Sequence, residues 1–91
     1  MRCVRLIVTG RVQGVGYRAF FAREAARLAL AGWVRNRIDG SVEALIHGDD
    51  AAVTAALDAA RRGPSAGRVD HVAIFEAGAP EEAGFLIVAT A

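Results

Sequence analysis

The sequence predicts an α+β sandwich in which two helices lie on one face of an antiparallel sheet. Apolar residues alternate with period two in several short stretches, and at helical spacing in two longer ones. In order, these read strand, helix, strand, strand, helix, strand, with one further strand at the end. The chain has 91 residues, of which 54% are hydrophobic, so a single domain over 1–91 has enough apolar surface for one core.

The first strand is read from Val4, Leu6 and Val8, which alternate with Arg5, Ile7 and Thr9. A glycine-rich stretch, Gly10 to Arg18, follows. From near Arg18, the residues Phe21, Ala25, Leu28 and Ala29 recur at helical spacing while Arg23, Glu24 and Arg27 fall on other faces, giving a first helix to about Leu30. Gly32 closes that unit. Trp33 to Arg37 reads as a second strand and Val42 to His47 as a third, joined by Ile38-Asp39-Gly40-Ser41, whose Asp-Gly pair marks a hairpin.

Asp49 and Asp50 open a second helix, with an apolar stripe of Val53, Ala56, Leu57 and Ala60. Arg61 and Arg62 suit its last turn, Gly63 suits the C′ position, and Pro64 prevents continuation. Val69 to Glu76 forms a fourth strand, Ala77 to Gly84 is turn-like, and Phe85 to Val88 forms a fifth, edge strand. The βαββαβ order with an additional C-terminal edge strand is that of a ferredoxin-like sandwich. Glu43, Asp70 and Glu76 are expected at solvated strand positions, as are Arg11, Arg35 and Arg37.

Composition narrows the function. All eleven cations are arginine, yet the formal net charge is only +1, which gives no extended footprint for nucleic acid. The single cysteine, Cys3, cannot form an internal disulfide. Neither it nor the two histidines show metal-ligand spacing, so no metal site is expected. No apolar run approaches the ~20 residues of a membrane span, and no secretory leader is visible, so a cytoplasmic protein is expected.

The glycine-rich stretch carries the strongest chemical signal. Between a strand and a helix, Gly10, Gly14 and Gly16 permit tight curvature, so the amides of Gln13, Gly14, Val15, Gly16 and Tyr17 can turn inward as an anion nest. The helix N-terminus adds partial positive charge, and Arg18 supplies a guanidinium fork for two oxygens of one anion. Phosphate is the expected ligand. The stretch is neither a Walker A loop nor a dinucleotide fingerprint, and by itself it reads slightly more readily as a plain strand-to-helix connection. Asn36, near a strand end before a tight turn, reads alone as an ordinary turn-flanking amide.

Together these residues resemble the acylphosphatase family. Its first motif, Gly-x-Val-Gln-Gly-Val-x-(Tyr/Phe)-Arg, is matched from Gly10 to Arg18. Its second is matched by Gly32, Trp33, Val34, Asn36, Gly40, Val42 and Gly48. The resemblance implies hydrolysis of small acyl phosphates to carboxylate and inorganic phosphate without metal or cofactor; a monomer without nucleic-acid or membrane partners is expected beside it. It further implies that Arg18 is the catalytic phosphate-binding arginine, that the amides of Gln13 to Tyr17 cradle the phosphate, and that Asn36 orients the attacking water. Where relatives usually carry Gly-Leu, this chain has Ala29-Leu30; if that position is left-handed, alanine costs about 1 kcal/mol. Two rivals are a phosphate-binding module without turnover and an RNA-binding domain. The latter is disfavoured because the first and third strands lack paired aromatics.

Overall fold

The computed structural model describes residues 1–91. Its elements are β1 (Arg2–Arg11), α1 (Tyr17–Arg27), β2 (Ala31–Asn36), β3 (Val42–Gly48), α2 (Asp50–Arg62), β4 (Arg68–Glu76) and β5 (Phe85–Ile87), in the predicted order. The sheet runs β4-β1-β3-β2-β5, with β1 between β4 and β3. The register Val4↔Ile46, Leu6↔Ala44 and Val8↔Val42 puts the apolar positions of β1 and β3 on one face. Val34 and Asn36 continue it on β2, opposite Ala44 and Val42.

Both helices cover that face. Tyr17, Phe21 and Ala25 of α1 and Val53, Ala56, Leu57 and Ala60 of α2 join the strand residues in one buried core. Phe21 lies parallel to Tyr17 at 6.2 Å between ring centroids and edge-on to Phe85 at 5.8 Å. No helix is long and apolar enough to cross a membrane.

The terminal strand lies at an edge as expected, but the sheet is mixed and not antiparallel throughout: β5 pairs parallel to β2, with Gly32↔Phe85 and Val34↔Ile87. The long return through 77–84 lets the chain re-enter beside β2 in the same direction. Backbone bonds extend the alignment past β5: Val88 N–H donates to Val34 O, and Ala91 N–H donates to Asn36 O.

Glu43 departs from its expected solvated position. On the sheet face away from the helices it is 6% exposed, clamped by Arg5 Nη1 at 2.9 Å and Arg35 Nε at 2.8 Å. Those guanidiniums lie over Phe75 and Trp33 respectively, each 4.8 Å from the ring centroid. Arg35 is therefore held by the sheet and does not project freely. Asp70 and Glu76 are exposed, as expected.

Candidate active site

The glycine-rich stretch bends between β1 and α1, and Gly14 and Gly16 have φ of 74° and 81°. A Cβ at either would meet no atom within 4 Å, so the left-handed backbone, not crowding, is what calls for glycine there. Gly16 is the N-cap of α1, and neither a side-chain cap nor an acidic residue occupies the first turn. The first-turn amides, which have no intrahelical acceptor, therefore keep their affinity for an anion. By contrast, α2 carries Asp50 in its first turn.

Tyr17 fixes where α1 begins. Its ring is 2% exposed, and its hydroxyl donates to Ala60 O at 2.8 Å. Residue 64 is proline and has no N–H, so this hydroxyl caps a helix-end carbonyl that lacks its usual donor. Burial pushes the phenol well above its ordinary pKa, which keeps it a donor.

Arg18, one residue on, takes part in none of the chain's ion pairs. It lines a cleft of about 260 Å³ together with Val12, Gly14, Gly16, Ala19, Asn36 and Ile87. The path from sequence to this meeting runs through the sheet: Asn36 sits opposite Val42, and Val42 opposite Val8. The end of β2 thus lies two strands from the end of β1, on the face where α1 starts. Asn36 Oδ1 is buried and accepts no hydrogen bond within the chain. A buried amide oxygen is ordinarily satisfied, so this one is free to accept from a group outside the chain.

Of the residues singled out in the sequence, Gly14, Gly16, Arg18 and Asn36 line the cleft. The side chains of Gln13, Val15 and Tyr17 turn elsewhere. Gln13 reaches the β2–β3 hairpin, Val15 packs against the core and Tyr17 is buried. Only their backbone amides remain as candidates for the cradle. Sequence reasoning missed Val12, Ala19 and Ile87 as lining residues. Val12 and Ala19 belong to or adjoin the motif, but Ile87 carried no local signal, because its place depends on the parallel pairing of β5.

Comparison with known proteins identifies the family. The family model described as Acylphosphatase matches residues 4–87. The acylphosphatase of Rhodospirillum rubrum is 49% identical over 85 residues, covering 93% of each chain. That of Acidiphilium cryptum is 53% identical over 85 residues, again with 93% of each covered. The crystal structure of acylphosphatase from Bacillus subtilis superposes with a TM-score of 0.91 at 42% identity, covering 97% of this chain and 99% of that one. With the family model spanning nearly the whole sequence and relatives of this similarity matching almost end to end, the chain belongs to the acylphosphatase family.

Proposed function

We propose that this chain, by its family a hydrolase of acyl phosphates, works in the cleft between the glycine loop and the end of β2, with Arg18 and Asn36 as its catalytic residues. An acyl phosphate is a mixed anhydride of phosphoric and carboxylic acids. Its leaving group derives from an acid of pKa about 4 and departs as an anion at neutral pH, so no general acid is needed. What remains is positioning and charge stabilisation.

The Arg18 fork and the amides from Gln13 to Tyr17 hold the non-bridging phosphoryl oxygens, each well-aimed donor contributing about 10²–10³ in rate. Asn36 Oδ1 accepts a hydrogen bond from a water and turns its lone pair towards phosphorus. The water oxygen forms the new P–O bond, and the bond from phosphorus to the acyl oxygen breaks with its electron pair. Carboxylate leaves, the water's proton passes to solvent, and inorganic phosphate remains. The single observation that carries this assignment is that Asn36, whose Oδ1 is buried without a partner in the chain, lines the same cleft as Arg18.

The test is incubation with benzoyl phosphate in ¹⁸O-labelled water with a chelator present. Benzoate and phosphate are expected well above the spontaneous rate, with the label in phosphate alone. Label in benzoate would place the attack on the acyl carbon, and no release above background would leave the cleft a binding site without turnover.

A further inference from the structure

We propose that the Gln13 side chain is a positioning residue that fixes the Asn36 carboxamide relative to the phosphate cradle, an inference that rests on the catalytic assignment above. Gln13 Nε2 donates to Arg37 O and to Ser41 O, both at 2.8 Å, across 24 and 28 residues of sequence. Arg37 follows Asn36 directly, and Ser41 precedes β3. One side-chain amide from the start of the cradle therefore grips both sides of the hairpin neck from which Asn36 enters the cleft.

The two carbonyls do not need Gln13 to be satisfied. Arg37 O already accepts Gly40 N–H at 3.1 Å, and Ser41 O accepts Arg37 N–H at 2.8 Å. The side chain thus adds a second donor to acceptors that the turn has already supplied, and what it contributes is a fixed spacing between loop and hairpin. The Asn36 side chain offers no such tie of its own, since its Oδ1 meets no partner in the chain. Of the side-chain hydrogen bonds that join the loop to this hairpin, both come from Gln13. Near-attack geometry is sensitive to displacements of about 1 Å, which cost on the order of 10² in rate. Freeing the neck would therefore be felt at the water while the cradle still grips phosphate.

The experiment is a double-mutant cycle on the full chain with benzoyl phosphate, reading kcat and the inhibition constant of inorganic phosphate in wild type, Gln13→Ala, Asn36→Ala and the pair. Gln13→Ala is expected to lower kcat about tenfold or more while phosphate inhibition stays within about threefold. In the pair, kcat should match that of Asn36→Ala alone, because Gln13 acts through Asn36. A second variant separates positioning from folding. In Gln13→Glu a carboxylate faces two carbonyl oxygens, whereas its protonated form donates one hydrogen bond. Its kcat relative to wild type should therefore recover as pH falls through the carboxyl range. Unchanged kcat in Gln13→Ala, additive losses in the pair, phosphate inhibition weakened as much as kcat, or no recovery at low pH in Gln13→Glu would each overturn the proposal. Absence of turnover in the wild type would overturn the catalytic assignment itself, an outcome distinct from any pattern among the variants.

Discussion

In the proposed mechanism, Arg18 and Asn36 divide the work by chemical type. A guanidinium presents two parallel donors to two oxygens, which an ammonium cannot reproduce, so Arg18→Lys is expected to reduce kcat/KM by about 10² or more. Steady-state kinetics with benzoyl phosphate check this, and turnover near the parental value would remove Arg18 from the mechanism. Asn36 binds no anion in the proposed chemistry; it aims a water. Asn36→Ala should therefore lower kcat by about 10² while inhibition by inorganic phosphate changes only a few-fold. Preserved kcat with lost phosphate inhibition would exchange the two roles. Whereas Asn36 alone reads as a turn-flanking amide whose role comes from the motif's resemblance to the family, Arg18 beside the glycine loop was legible in the sequence. The orphaned state of Asn36 Oδ1 was not, because it depends on what three strands bring near it.

At the scale of elements, the end of α1 departs from the expected helix to about Leu30: α1 stops at Arg27, and Ala29, placed in the helical pattern by its spacing, takes the left-handed conformation raised only as a condition. The helix closes with Leu30 N–H donating to Ala25 O at 2.9 Å and Ala29 N–H donating to Ala26 O at 3.1 Å, the paired bonds of a Schellman motif. That motif requires a left-handed C′ residue, and Ala29 supplies it with φ 57°, the only positive φ outside glycine in the chain. Ala29→Gly is expected to stabilise the fold by about 1 kcal/mol, the left-handed cost of a Cβ less the added entropy of an unfolded glycine. For a domain of this size that is a rise of about 4–8 °C in Tm by thermal denaturation. A fall in Tm would show that the Ala29 methyl contributes more through packing than it costs in backbone strain. Gly32 admits no such exchange, since a Cβ there would lie 1.8 Å from Leu45 O.

Across the whole molecule, the arginines divide into paired and unpaired ones. Seven arginines form ion pairs, while Arg11, Arg18, Arg23 and Arg37 form none. Three of those four lie in or beside the loop and hairpin that border the cleft, so a protein of net charge +1 presents positive potential where an anion is to enter. The opposite face holds the Arg5–Glu43–Arg35 bridge across β1, β3 and β2. Burial by itself would raise the Glu43 carboxyl, but hydrogen bonds from Arg35 and Arg5 outweigh it and hold the group below its ordinary value. A carboxyl depressed by folding contributes stability above its unfolded pKa of about 4.3, and that contribution is lost as pH falls through the lower folded value. Glu43→Gln should therefore be less stable than wild type to urea near pH 7, with the gap narrowing below about pH 4, and with kcat unchanged. A gap independent of pH would mean that packing, not charge, makes Glu43 matter.

The sequence by itself determined the alternation and helical spacing that set the element order, the glycines that permit left-handed backbone, and two motifs whose resemblance to a family implies an anion cradle and a water-directing amide. These are local properties, fixed by neighbours a few residues apart. Only the tertiary structure decided that β5 returns parallel to β2 and brings Ile87 to the cleft, that Glu43 is buried between two arginines, and that Gln13 reaches the hairpin neck. Each of these joins residues distant in sequence. Their separation in space is set by sheet order and register, which pairing of the strands decides and no single stretch of chain contains.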